Sequence, residues 1–533
     1  MVSSKTPPSP PLVRGGIIFA ILFISSSSLA IAQDKPTEDD YYRMLTLPIP
    51  QDITLEVGGR GWLDKQQTRL LACTRRGELY VIDNVYADQL ALEGEMLKTK
   101  NDEGKDVEVN PTAEQTIQYK RMLFGLHEPL GMLVNPPNYP AGIYMAQRSE
   151  LTRVADTDND DRIDEVETFS NSWEISGSYH EYAFGPKLGK DGQLWITLNR
   201  PFGGGQEPKA YWRGWAVKVD NKGKMSPICP GLRSPAGLGS NPEGEMFFTD
   251  NQGDHVAAGK MAHIKPDVFH GQTTGLESLD HPDANFELPF EGYPKKGMLW
   301  GEAVKENPKL QAPTVWFPYP QMGKSQTDIL ADTSGGKFGP FSGQLFVGDL
   351  SSAQIMRVFL EKIDGEYQGA VFPFRKNFTP PVLRFIWGND GTMFVGGSSR
   401  GWGGGRKPFG LARLQWTGQT PFEIHEMRAR PNGFELTFTQ PVDPETASDV
   451  ASYKMHCWTH MYYSNYGGKR HEEHDLKVVK ATVSKDNKSV ILEFDKVEPY
   501  FIHHLTAAGV RSADGLPLLH NEAYYTLNRV PKP

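Results

Sequence analysis

The chain has 533 residues, 38% of them apolar and 23% charged, with 54 glycines and 40 prolines. That length exceeds one ordinary domain, and the composition is that of a globular protein rather than a disordered or fibrous one. A formal net charge of −9 argues against a nucleic-acid partner, and the three cysteines, Cys73, Cys229 and Cys457, cannot supply a disulfide framework, although one pair could form.

At the N-terminus, Lys5 and Arg14 precede an apolar run from Gly16 to Ile24 and then Ala30-Ile31-Ala32. The pattern predicts a secretory signal over 1–32 with cleavage after Ala32, because the run is too short and too poorly flanked to span a bilayer; a retained anchor is the alternative. No later stretch is apolar enough to cross a membrane, so the mature chain is expected to be periplasmic or secreted, with no transmembrane span. Residues 33–50 are polar and contain proline, and read as a linker.

From residue 51 a signature recurs: a Gly turn, then an apolar-aromatic pair that opens a short strand. Its copies are Gly77-Glu-Leu79-Tyr80, Gly142-Ile143-Tyr144, Gly192-Gln-Leu194-Trp195, Gly244-Glu-Met246-Phe247, Gly343-Gln-Leu345-Phe346 and Gly391-Thr-Met393-Phe394. A period of about 50 residues, with one turn and one aromatic per unit, predicts an all-β fold with a six-bladed β-propeller over 51–419. Insertions near 87–120 and 272–312 stretch two of the intervals. Beyond residue 419, Phe434-Glu-Leu-Thr-Phe438 alternates and Lys488-Ser-Val-Ile-Leu-Glu-Phe494 follows, which predicts a separate, small Ig-like β-sandwich over 420–533.

Several loops carry candidate chemistry. In Asp156-Thr-Asp158-Asn-Asp160-Asp-Arg162-Ile-Asp164-Glu-Val-Glu167, acidic residues fall at the oxygen-ligand spacing of a calcium loop, with Arg162 offering its carbonyl. Position 6 is Asp161 where such loops take Gly, and a solvated acidic turn is the other reading. His180 lies ahead of an apolar strand, where an imidazole at a propeller mouth could act as a base or serve as a structural hydrogen-bonder; His127 occupies a similar place. Arg233 either binds an anionic ligand or pairs with a carboxylate of another blade, and Asn251, Gln252, Gly253 and Asp254 form the next polar loop. Arg400-Gly-Trp402-Gly-Gly-Gly-Arg406 would let backbone approach a ligand between two cations, or be a mobile loop. The cluster His456, Cys457, His460, His471 and His474 matches no metal template and reads as surface histidines.

On these motifs the chain resembles the soluble quinoprotein glucose/sorbosone and aldose sugar dehydrogenases. His180 matches that family's base, Gly231-Leu-Arg233-Ser234-Pro235-Ala-Gly237-Leu238 its quinone-binding loop, and Asn251-Gln252-Gly253-Asp254 the loop that supplies cofactor calcium ligands. Phe248-Thr-Asp-Asn-Gln-Gly253, Lys337-Phe-Gly-Pro-Phe-Ser-Gly343, Tyr367-Gln-Gly-Ala-Val-Phe-Pro373 and Arg400-Gly-Trp402 further resemble an exported bacterial propeller group described as membrane-bound dehydrogenases. The resemblance implies oxidation of a sugar hydroxyl with pyrroloquinoline quinone (PQQ) and calcium; His127 falls near a family Gln that contacts cofactor and sugar, and Arg400 and Arg406 of the glycine-rich loop are further candidates for the cofactor site. With no Cys-x-x-Cys-His of its own, the chain would pass electrons to a separate cytochrome c. Ser234 stands where the family has a cofactor-binding Asn, and Tyr179 where an Asp commonly precedes the base. The alternatives are a non-catalytic glycan- or protein-binding propeller and a calcium-dependent hydrolase or lactonase.

Overall fold

The computed structural model describes residues 36–202, 209–287, 297–399 and 401–533. The predicted signal segment lies outside them, as does Arg400. Almost all the regular structure is antiparallel β, and residues 42–416 hold six four-stranded units. Their first strands are Val57–Trp62, Met132–Val134, Ala183–Leu188, Gly237–Ser240, Gln326–Ala331 and Arg384–Trp387. Each first strand packs against that of the next unit, and the last returns to the first, so the six units close on themselves.

Small residues permit that approach. A Cβ on Gly237 would lie 2.0 Å from the Thr327 carbonyl oxygen of the neighbouring unit, closer than any side chain tolerates. Farther out, Tyr144, Phe247, Phe346 and Phe394 are fully buried between neighbouring units; Phe394 meets Trp62 edge-on, ring centroids 5.4 Å apart. Four of these units thus keep their repeat aromatic on the second strand, as does the third with Trp195, but Tyr80 falls in Glu78–Asp83, the third strand of its unit. The signature marks a hairpin turn, not a fixed place in the unit.

Residues 36–50 are not a linker. Glu38–Tyr41 is a helical turn and Tyr42–Thr46 is a strand that pairs with Phe409–Trp416, completing the sixth unit. Tyr42 anchors this strand, its ring edge-on to Phe374 at 4.7 Å and its hydroxyl donating to the Phe338 carbonyl at 3.1 Å. Nor is the C-terminal region a detached sheet pair. Glu522–Leu527 pairs with Glu366–Arg375, so Lys454–Thr459, His471–Leu476, Phe501–Thr506 and Glu522–Leu527 prolong the fifth unit into an eight-stranded sheet. The ten-residue strand Glu366–Arg375 offers an unpaired edge, and the C-terminal strands cover it. A second sheet, formed by Ile424–Arg430, Gly433–Phe438, Ser489–Phe494 and Val478–Val483, shares a core with Phe359, Ala370 and Phe372 of the fifth unit.

At the centre of the ring Arg384 is buried. Its guanidinium donates to the carbonyls of Gly58 (3.0 Å), Leu130 (2.8 Å), Ala236 (2.9 Å) and Leu383 (2.9 Å), which sit on or just ahead of the first strands of four different units. The three cysteines are buried and unpaired.

Candidate active site

In an antiparallel unit the start of the first strand and the end of the second lie at the same end. Loops from those two places therefore gather at one mouth of the ring. They enclose a cavity of about 560 Å³, within the usual range for small-molecule sites. His180 enters it ahead of the third unit's first strand, Arg200 and Phe202 after that unit's second strand, Arg233 and Ser234 ahead of the fourth unit, and Asn251, Gln252 and Asp254 after its second strand. Arg75, Lys324 and Trp402 arrive from the first, fifth and sixth units in the same way.

The turn bearing Arg233 is set from below by Asp250. This fully buried carboxylate accepts the backbone N–H groups of Arg233 (3.0 Å) and Ser234 (2.6 Å). Above it Arg233 Nε donates to Asp254 Oδ1 at 2.9 Å, Arg200 Nη2 reaches the same oxygen at 2.6 Å, and Gln272 Nε2 donates to Oδ2 at 2.5 Å. Burial would raise the Asp254 carboxyl, but the two guanidiniums outweigh it and hold it below the usual carboxylate range. The carboxylate partner of Arg233 therefore comes from its own unit. The Phe202 ring lies between the cations, 4.4 Å from the Arg200 guanidinium carbon and 4.3 Å from that of Arg233. Asn251 Nδ2 donates to Ser234 Oγ at 3.2 Å, and Gln252 Nε2 to the Ala257 carbonyl at 3.1 Å.

His180 sits on a braced loop. Arg148 donates to the Ser178 carbonyl (3.1 Å) and to that of Tyr179, Asn199 donates to the His180 carbonyl, and the Glu181 carboxylate accepts the Ser176 and Gly177 N–H groups at 2.8 and 3.1 Å. The imidazole meets Phe202 edge-on at 4.8 Å and lies 6.2 Å from the Trp402 ring. Burial, and then the guanidiniums of Arg233, Arg148 and Arg200, hold it below its usual pKa, so near neutral pH it is an uncharged base.

His180, Arg233, Ser234, Asn251, Gln252 and Asp254 thus come together, with Gly253 packed against Arg233. His127 and Arg406 do not line the cavity: His127 gives its N–H to Gln147, and the exposed Arg406 gives its own to the Thr379 carbonyl at 2.8 Å. Arg75, Arg200, Phe202, Lys324 and Tyr466 line it without having been singled out. Arg200 and Lys324 had a legible signal, since they flank short apolar strands as Asn251 and Arg233 do.

In the acidic loop, Asp156, Asp158 and Asp164 bring carboxylate oxygens within 4.8 Å of one another. Asp161 adopts φ 66°, supplying the left-handed turn that Gly would otherwise provide, while its carboxylate pairs with Arg69 at 2.9 Å. The others turn elsewhere: Asp160 Oδ1 accepts the Arg162 N–H at 2.8 Å, and Glu167 pairs with Arg153 at 3.2 Å from a strand. In the histidine cluster, His456 lies between Asp475 and Glu473, His474 pairs with Glu498, and His460 is buried rather than at the surface.

No family model matches the chain, and no curated protein does. Among solved structures, a Thermus thermophilus protein described as an oxidoreductase (glucose dehydrogenase) aligns at 17% identity over 70% of this chain and 99% of its own, with a TM-score of 0.42. The PQQ-bound aldose sugar dehydrogenase of Streptomyces coelicolor aligns at 12% identity over 72% and 99%, TM-score 0.41. A gluconolactonase of Xanthomonas campestris aligns at 12% over 70% and 90%, TM-score 0.36. Likenesses this distant assign no activity. Among the described residues no helix is long and apolar enough to cross a membrane.

Proposed function

We propose that the six units are the blades of a propeller and that the cavity at their mouth oxidises a sugar hydroxyl with a bound quinone of the PQQ kind. The observation that carries this reading is an uncharged imidazole facing the same cavity as Arg75, Arg200, Arg233 and Lys324. That lining fits an anionic cofactor: Arg200 and Arg233 share the single carboxylate of Asp254, which leaves the pair one net positive charge, and the Lys324 ammonium adds another, while Arg75 is matched by Glu128. Calcium beside the 251–254 loop does not fit, because both Asp254 oxygens already accept from Arg200, Arg233 and Gln272. The same engagement disfavours a metal-dependent lactonase, which needs a free carboxylate at this mouth.

When bound, the quinone supplies the two-electron acceptor that an alcohol oxidation requires. His180 takes the hydroxyl proton on a ring nitrogen, and the guanidiniums around it favour negative charge developing in the cavity. Asn251 donates to the Ser234 hydroxyl, which holds both side chains in the cavity wall. Reoxidation falls to a separate carrier of the cytochrome c type, and calcium to the outer loop, where Asp156, Asp158 and Asp164 are the donors that fit.

Loading the purified chain with PQQ and adding an aldose panel should change the quinone absorbance. His180→Ala should lower turnover about 10²- to 10⁴-fold with quinone affinity retained. Because the imidazole titrates below its usual 6.5, the wild-type rate should stay level as pH falls through that value and drop only beneath it. Wild-type turnover in His180→Ala would remove this residue from the reaction.

A further inference from the structure

The C-terminal region sends a hairpin into the cavity wall. Met461–Tyr462 pairs with Met298–Leu299, and the Tyr462 hydroxyl donates to the Gly271 carbonyl at 2.7 Å. Next along the chain, the His255 N–H donates to the Tyr463 carbonyl (3.2 Å), the Gly467 N–H to the Gly253 carbonyl (2.9 Å) and the Gly468 N–H to the Ala257 carbonyl (2.7 Å). Both shoulders of the hairpin are therefore bonded to the loop that carries Asp254. Its apex, Tyr466, stands over Arg233, ring to guanidinium 5.3 Å, yet is 67% exposed. The three backbone hydrogen bonds thus hold an exposed ring in place beside the cavity, and a pre-ordered contact of this kind loses little freedom when a ligand binds.

Trp402 is built in the same way. Its N–H donates to the Ser399 carbonyl at 2.8 Å, the Gly404 N–H ties the loop to Leu350 at 2.8 Å, and the indole is 64% exposed beside His180. Trp402 and Tyr466 line one cavity, with His180, Phe202 and Arg233 in contact between them. Besides the cations and Asp254, the lining of this cavity offers the neutral hydroxyl and amide groups of Ser234, Asn251, Gln252, Ser325 and Ser351. Flat apolar faces fringed by neutral donors and acceptors match a sugar ring, which has a C–H face and a rim of hydroxyls. Two such plates, Trp402 beside His180 and Tyr466 beside Arg233, exceed what a single ring uses.

We infer that Tyr466 is a specificity-determining residue and that, with Trp402, it forms an outer subsite for a saccharide of two or more linked rings. The inference rests on the reading of the cavity as sugar-binding, but needs no quinone. The C-terminal region is on this view part of the site and not an appendage.

Binding of glucose, cellobiose, cellotriose and maltotriose to the quinone-free full chain, measured by calorimetry and by the tryptophan fluorescence change, tests it. At least one oligosaccharide should bind fivefold or more tighter than glucose. Tyr466→Ala should abolish that gain, Tyr466→Phe should keep it, and Trp402→Ala should reduce it. Equal affinity for glucose and every oligosaccharide, an undiminished gain in Tyr466→Ala, or no saccharide binding at all would each overturn the inference. Length-dependent binding without quinone-dependent oxidation would sink the redox reading alone, and oxidation of glucose with no gain from a second ring would sink this one alone.

Discussion

Gly253 has no side chain to collide with Arg233, and the site depends on that. A Cβ built there would lie 1.9 Å from the guanidinium carbon, while the backbone is outside the left-handed region. The obstructed atoms are the far end of a flexible side chain, so Gly253→Ala should move Arg233 off Asp254 at little cost to the fold. With Arg233 no longer placed to meet the cofactor, loss of one charge-assisted contact worth about 1.5–3 kcal/mol should lower quinone affinity roughly ten- to hundredfold, while loss of the Arg233–Asp254 pair lowers the unfolding midpoint by no more than about 5 °C. Titration of quinone absorbance and a thermal melt of the same variant check this; unaltered affinity would mean that Arg233 does not hold the cofactor.

At the scale of one loop, Asp156, Asp158 and Asp164 crowd three carboxylates on an exposed turn, where they repel unless a cation joins them. Calcium at a hundredfold excess over its dissociation constant would add about 2.7 kcal/mol, so chelation should lower the midpoint by several degrees. Asp158→Asn combined with Asp164→Asn should remove the response, and a melt indifferent to chelator would leave the loop a solvated turn. Loops of this kind were the legible part of the chain, because ligand spacing and the strands flanking His180, Arg233 and Asp254 are local in sequence. Tyr466 was not legible: it reaches the cavity only through pairing of Met461–Tyr462 with Met298–Leu299, a contact between distant segments that no local pattern announces. Tyr42–Thr46 was hidden for a related reason, since its strand is defined by the Phe409–Trp416 edge it covers.

For the molecule as a whole, the two ends of the described chain are joined by charge. His520 lies between Glu423 (2.7 Å) and Glu38 (3.1 Å), and Arg375 reaches Glu38 at 2.8 Å. Burial opposes the His520 charge, but Glu423 and Glu38 outweigh it and push its pKa up to about 9. Burial would raise Glu38, but hydrogen bonds from His520 and the Lys376 N–H pull it down to about 2. The His520 contribution, on the order of 3 kcal/mol, is complete below pH 6.5 and lost as pH rises through 9. That of Glu38 is complete above pH 4.5 and lost as pH falls through 2. The unfolding midpoint should thus be highest between pH 4.5 and 6.5, and His520→Gln should flatten its alkaline decline; an unchanged decline would detach this cluster from stability.

Arg384 imposes one-way architecture on traffic through the ring. With its guanidinium bonded to carbonyls of four units, the axis is shut behind the cavity, and whatever enters must back out through the same doorway. On the proposed function, product leaves by the route that substrate took, so added product should inhibit competitively against the sugar.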